Sequence, residues 1–240
     1  MRIYLLIAED PFYTRDLLKN IINSYPNQIV GAAFPKGFLN PKRVLKTFFI
    51  YGPFKFFKMG ISVLYNSMLG GKVKLYLKSK DIYVEEIKDV NDPKFLSYLN
   101  KLEIDLIISN NCPQLLKKPI LELPKKGCIN LHLGKLPHYR GIFPIFHAIA
   151  NGENNYGITV HYMNEKFDDG PIIAQEVISF EKNYDLLFHY NKAFKKGSTL
   201  LINAINDIEN NMVIKIPNQK IRNSYFSYPT FRQIINYHLR

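Results

Sequence analysis

The chain has 240 residues, of which 47% are hydrophobic and 22% charged, and a formal net charge of +12. That is length enough for one large domain with a full core, and the composition excludes a disordered protein. No apolar run reaches the roughly eighteen residues that a membrane-spanning helix needs, and two cysteines with no metal-ligand spacing exclude a disulfide framework and indicate a reducing cytoplasm.

Arg2 to Ala8 (RIYLLIA) reads as a compact apolar strand running straight into Glu9 and Asp10, without the small-residue cleavage pattern of a signal peptide. Asp10-Pro11 supplies a cap and a favoured first residue for a helix from about Pro11 to Ser24. A second strand follows over Gln28 to Phe34. Strand, helix, strand with short joints opens an α/β sheet whose crossovers are right-handed.

Pro41 to Lys80 breaks that rhythm. It is aromatic, basic and helical in pattern, interrupted at Tyr51-Gly52-Pro53 and bent at Gly70-Gly71. Its aromatic residues, Phe48, Phe49, Phe54, Phe56, Phe57 and Tyr65, are expected to pack against the sheet or a partner, with base stacking in a nucleic-acid complex as the alternative. From Leu17 to Lys80 there is no acidic residue and there are eleven lysines and arginines; Asn211 to Arg240 adds five cations and no acid. Part of this is a solvated basic face, and part suits an anionic ligand.

Alternation then resumes. Ile82 to Ile87 is a strand, Asn91-Asp92-Pro93 caps a helix to about Leu102, and Ile104 to Ser109 is a continuous apolar strand suited to a sheet centre. Asn111 or Cys112 is expected to cap a short helix opened by Pro113, leaving backbone N–H groups free for a ligand. The strand beginning at Cys128 would lie beside the one ending at Ser109, at the carboxyl edge where open α/β sheets bind ligands. Tyr156 to Met163 and Ile172 to Ser179 form a hairpin, a long helix covers Tyr184 to Asn210, and a short helix ends the chain.

The strand from Cys128 carries Asn130 and His132 within an otherwise apolar run. Alternate strand residues share a face, so both side chains project into one space, where buried polar groups need partners. An amide can donate to an oxygen as negative charge develops, an imidazole exchanges protons near neutrality, and Asp168, delivered by the hairpin, can accept a proton or orient the imidazole. No serine or cysteine nucleophile is paired to a base in this stretch, which points to direct transfer. A satisfied core histidine beside an asparagine remains the commoner outcome of such spacing alone.

Four blocks in register say more: Ile129-Asn130-Leu131-His132, Leu136-Pro137-His138-Tyr139-Arg140-Gly141, Gly157-Ile158-Thr159-Val160-His161, and Asp168 with Gly170-Pro171-Ile172-Ile173. From about Ile82 to Glu181 the sequence resembles the formyltetrahydrofolate-dependent formyltransferases, which include the methionyl-tRNA, glycinamide ribonucleotide and sugar N-formyltransferases. The resemblance implies a Rossmann-like α/β formyltransferase fold, a mostly parallel twisted sheet flanked by helices, with a catalytic domain over 1–210 and a short C-terminal extension over 211–240. It implies that Asn130, His132 and Asp168 are the catalytic trio. A 10-formyltetrahydrofolate pocket would be lined near Pro113, Gln114 and Leu115, with Leu136, Pro137 and Gly141 shaping the turn. The implied reaction is attack of a neutral amine on the formyl carbon, with Asn130 and protonated His132 steadying the oxyanion, Asp168 relaying the proton, and no metal. Two departures stand out: Leu133-Gly134-Lys135 where the family commonly has Pro-Ser-Leu, and Asp169, expected to be exposed, where Thr or Gly is frequent. His138, His147, His161, His189 and His238 match no catalytic position and are expected to be structural or on the surface.

Within that family, the initiator-tRNA enzymes carry a further β-barrel, for which the last thirty residues leave no room. The purine-pathway enzymes carry a glycine-rich phosphate loop where this chain reads Ala8-Glu9-Asp10-Pro11-Phe12-Tyr13. The best match is a sugar N-formyltransferase acting on a dTDP- or UDP-linked 4-amino or 3-amino deoxysugar, for surface polysaccharide (O-antigen) synthesis. Arg15 and Lys135 are candidate diphosphate contacts, and a homodimer through the aromatic C-terminal extension is expected, with an intramolecular cover by the same segment as the alternative. The rivals are a formyltetrahydrofolate hydrolase and a basic nucleic-acid-binding protein on a degenerate transferase fold.

Overall fold

The structure, a computed structural model, describes residues 1–37, 40–219 and 221–240. Its nine strands are β1 (Ile3–Ile7), β2 (Ile29–Pro35), β3 (Val84–Ile87), β4 (Leu106–Asn110), β5 (Cys128–His132), β6 (Arg140–Gly141), β7 (Asn155–Tyr162), β8 (Ile172–Ser179) and β9 (Tyr225–Phe226). Seven of them form one sheet in the order β3-β2-β1-β4-β5-β7-β8, while β6 and β9 make a separate two-stranded ladder. The five strands from β3 to β5 are parallel; β7 runs antiparallel to β5 and β8 antiparallel to β7. The helices are α1 (Thr14–Ser24), α2 (Pro41–Met68), α3 (Lys72–Lys78), α4 (Pro93–Lys101), α5 (Lys118–Leu121), α6 (Pro144–Ala150), α7 (Leu186–Glu209) and α8 (Phe231–His238).

The core follows from the strand period of two. In β1, Ile3, Leu5 and Ile7 face one apolar cluster with Leu17, Leu18 and Ile21 of α1 and Leu201 and Ile205 of α7. Tyr4 and Leu6 face the other, with Phe95 and Leu99 of α4 and Ile107 of β4. A strand buried on both faces must be apolar throughout, which is why RIYLLIA lacks the usual alternation. The expected mostly parallel, helix-flanked sheet is the one observed.

Two expectations fail locally. α1 begins at Thr14 rather than Pro11, because the Asp10 carboxylate accepts the N–H groups of Phe12 (2.8 Å), Tyr13 (2.7 Å) and Thr14 (3.1 Å) and folds the preceding residues into a turn. No helix opens at Pro113: residues 111–117 have no regular structure, and α5 begins only at Lys118. The polar groups there are satisfied by side chains instead. Gln114 donates to the carbonyls of Lys88 (2.7 Å) and Lys36 (3.2 Å) and accepts from Val90 N–H (2.9 Å), while Asn91 accepts from Lys117 N–H at 2.8 Å. α2 breaks at Gly52 (φ 71°, ψ 166°), where the sequence shows Gly-Pro.

The C-terminal segment returns to the body of its own chain. β9 pairs in parallel with β6, Phe226 stacks on Tyr139 (5.2 Å between centroids), and Tyr228 meets Phe143 edge-on at 5.0 Å. Among the described residues, no helix is long and apolar enough to cross a membrane.

Candidate active site

β5 carries Asn130 and His132 to the carboxyl edge beside β4, with Ser109 opposite Asn130. The antiparallel register of β5 with β7 sets Asn130 against His161 and His132 against Thr159. Asp168 lies in the connection from β7 to β8 with a left-handed φ of 50°. Asn218 holds that connection by donating to the carbonyls of Asp168 (3.0 Å) and Gly170 (2.9 Å), and the buried Arg140 donates to the Phe167 carbonyl at 2.9 Å.

These elements bring four polar groups together. His132 Nε2 lies 2.7 Å from the Tyr139 carbonyl, which can only accept, so that nitrogen carries the hydrogen. Its Nδ1 faces Asp168 Oδ1 at 3.6 Å. His161 donates from Nδ1 to the Tyr162 carbonyl at 2.7 Å, leaving Nε2 to accept from Asn130 Nδ2 at 3.3 Å. That same Nε2 is 3.5 Å from Asp168 Oδ1. Asp168 Oδ2 accepts the Gly141 N–H at 2.7 Å. With His132 neutral, its Nδ1 and Asp168 Oδ1 thus face each other with no hydrogen between them, while His161 Nε2 beside them is taken by the Asn130 N–H.

Electrostatics sharpen this arrangement. Burial pushes Asp168 up, but the neighbouring imidazoles and the Gly141 N–H outweigh it and hold the carboxyl well below the usual carboxylate range. Burial pushes His132 down from 6.5, against the opposing pull of Asp168 and its bond to the Tyr139 carbonyl. Asp168 is therefore the standing charge of the cluster. Burial also raises the Cys112 thiol to about 11, so it is no thiolate nucleophile at neutral pH. Among the described residues, no group of three or more His, Cys, Asp or Glu is placed to hold a metal ion.

The cluster opens into a cavity of about 650 Å³. Asn130, His132 and Asp168 line it, as do Pro113, Gln114, Leu115 and Gly141. Leu136 and Pro137 stand behind the turn instead, where the Leu136 carbonyl accepts from Gln175 at 2.8 Å. Arg15 lies over the Tyr76 ring (5.8 Å), and neither it nor Lys135 is in the lining; the lining cations are Arg43 and Lys166. Asp169, expected to be exposed, is paired with buried Arg140 and has a side chain only 16% exposed. His161, expected to be structural or on the surface, is 2% exposed at the centre of the cluster. The signal that could have found it was the hairpin: any strand pairing antiparallel with β5 must set a residue opposite Asn130.

Fold and site together define an open α/β enzyme architecture with an amide, two imidazoles and a carboxylate at the carboxyl edge of the sheet. The chain belongs to the formyl transferase family, which it matches over residues 68–205. A methionyl-tRNA formyltransferase of Syntrophus aciditrophicus is 36% identical over 155 residues, 64% of this chain and 49% of that protein. The chain thus spans about half the length of the relatives it matches in sequence. Its fold resembles that of an N-formyltransferase from Helicobacter canadensis in complex with folinic acid and dTDP-3-aminofucose (TM-score 0.64, 19% identity, 99% of this chain and 79% of that one). It also resembles a phosphoribosylglycinamide formyltransferase from Bacillus halodurans (TM-score 0.65, 20% identity, 86% of this chain and 95% of that one).

Proposed function

We propose that the protein transfers the formyl group of 10-formyltetrahydrofolate to the amine of a nucleotide-linked amino deoxysugar, dTDP- or UDP-linked, in the synthesis of a surface polysaccharide. The observation that carries this reading is that His132 Nδ1 faces Asp168 Oδ1 at 3.6 Å beside Asn130 and His161, at the wall of the cavity. Two acceptors without a hydrogen repel one another, and one added proton turns that repulsion into attraction. A proton released by an attacking amine therefore has a prepared place. Asn130 Nδ2 stands at the same wall with a second hydrogen to donate to an oxygen that gains negative charge.

The lining fits a folate. Leu115, Ile142, Phe143 and Met163 offer apolar walls to a flat conjugated ring, Gln114 is fixed among them by its bonds to backbone groups, and Lys166, with no ion-pair partner among the described residues, can meet a carboxylate. When bound, that group supplies the formyl carbon; the chain's own residues orient it and hold the proton. The volume lies in the ordinary range for small-ligand sites, roughly 300–1,000 Å³.

The sugar acceptor rests on the start of α1. A phosphate-binding loop presents free N–H groups at a helix N-terminus. Here the Asp10 carboxylate already takes the N–H groups of Phe12, Tyr13 and Thr14, and its negative charge repels a phosphate from that place. This speaks against glycinamide ribonucleotide and leaves Arg43 and Lys166 for the acceptor's diphosphate or the folate's acid tail. A second reading, methionyl-tRNA as acceptor, is favoured by relatives such as the 36% identical methionyl-tRNA formyltransferase of Syntrophus aciditrophicus. Residues 1–210 would then be the catalytic domain in either case, with 211–240 an extension that closes over it.

The test is a panel of dTDP- and UDP-amino sugars, glycinamide ribonucleotide and methionyl-tRNA, each supplied with 10-formyltetrahydrofolate. We expect formylation of an amino sugar, falling at least about a hundredfold in His132→Ala. Formylation of methionyl-tRNA and of no amino sugar would replace the first reading by the second.

A further inference from the structure

α2 presents an apolar surface that the fold leaves uncovered. Phe54, Phe57, Ile61, Leu64 and Met68 recur at intervals of three and four and are 80%, 63%, 69%, 63% and 77% exposed. At 3.6 residues per turn they share roughly 80° of arc. The opposite side is fastened to the body of the protein: Lys55 pairs with Asp185 at 2.6 Å, and Asn66 donates to Glu9 (3.2 Å) and accepts the Lys72 N–H (2.7 Å). With those polar side chains directed inward, the apolar stripe is held toward solvent. α8 continues the surface. His238 bonds to the Phe49 carbonyl at 2.7 Å and Phe231 meets Phe49 at 5.6 Å, while Phe231, Ile235 and Leu239 form a second exposed stripe one helical turn apart.

The charge beside these stripes has one sign. Lys42, Lys46 and Lys58 lie on α2 and Arg232 on α8, Lys46 standing over the Phe231 ring at 6.0 Å, and neither 41–80 nor 211–240 contains an acidic residue. Two copies of this surface face to face would bring like charges together, so charge disfavours self-association. An anionic bilayer supplies both missing complements, acyl chains for the stripe and phosphates for the cations. The kink at Gly52 and the lysines suit a helix lying on the interface rather than crossing it.

We propose that α2 and α8 dock the protein peripherally on an anionic phospholipid membrane, with the Phe54–Met68 stripe in the headgroup boundary. Arg43 and Tyr51 of α2 also line the cavity, so docking sets the cavity beside the bilayer surface. This inference is independent of which amine is formylated.

The experiment is vesicle flotation of the full chain with phosphatidylcholine alone and with about one third phosphatidylglycerol. Wild type should float with the anionic vesicles at least about tenfold more than with the neutral ones. The double variant Phe57→Gln, Ile61→Gln should lose that binding about tenfold or more while its thermal unfolding is unchanged, both side chains being exposed. Equal binding to both vesicles, or none, overturns the proposal. So does a dimer seen by light scattering that the same double variant dissociates, or capture of a single-stranded RNA oligonucleotide without flotation.

Discussion

Asp168 Oδ1 sits between two imidazole nitrogens, and the role of the second imidazole can be measured. His161 fixes Asn130 at 3.3 Å and is one of the influences that push His132 down. Removing it should therefore let His132 rise and carry its proton to higher pH. For His161→Ala we expect kcat to fall about tenfold to a hundredfold and the acid limb of the kcat/KM profile to move to higher pH. A variant that unfolds at lower temperature but keeps the limb where it was would make His161 a spacer only. Asp168→Asn acts in the other direction, since it removes the charge that supports a protonated His132. Of this cluster, Asn130, His132 and Asp168 were legible from strand alternation and motif. His161 was not, because a lone histidine on an apolar strand is ordinarily a satisfied core group, and only the register reveals its partner.

Among the elements, the short ladder of β6 and β9 ties the C-terminal segment to the cluster. Gly141 gives its N–H to Asp168 while its neighbour Ile142 donates to the Phe226 carbonyl at 3.0 Å. Gly141 has a φ of 93°, and a Cβ there would collide with the Phe226 carbonyl oxygen. Gly141→Ala should thus cost about 1–3 kcal/mol and weaken the Asp168 contact, seen as a lower unfolding temperature with a fall in kcat. Retention of both would show that the ladder does not position Asp168. Two-residue strands leave no periodic trace, so nothing in the sequence announced this pairing. The long apolar strands and the cap at Asp92 were plain, because burial and capping are local chemistry. The helix expected after Pro113 failed for the converse reason. Its polar groups are met by Gln114 and Asn91 acting across loops distant in sequence.

At the scale of the whole molecule, the mostly parallel sheet followed from alternating strand and helix signals, whereas the exposed face of α2 did not. Sequence pattern reports that a residue is apolar, not whether anything covers it. A property distributed over the molecule is its response to acid. His132, His147 and His189 are all buried, and burial is the main cause that pushes each below 6.5 despite carbonyl or carboxylate partners. His147 bonds the Ser227 carbonyl at 3.0 Å through Nε2, and its Nδ1 has no partner among the described residues. A group with a lowered folded pKa contributes stability that is complete above its unfolded value and is lost as pH falls. The unfolding temperature should therefore hold above about pH 7 and decline from about 6.5 toward 5, before the carboxylates titrate. Asp168, lowered likewise, adds its own loss only in stronger acid, beneath its ordinary 3.8. Rising positive charge would produce a decline too, on a chain already at +12, so a control separates the causes. His147→Phe keeps a ring against Phe146 and Phe226 but cannot take a proton, and its slope between pH 6.5 and 5 should be shallower than that of wild type at equal salt. Parallel slopes in the two proteins would assign the decline to net charge and not to the buried histidines.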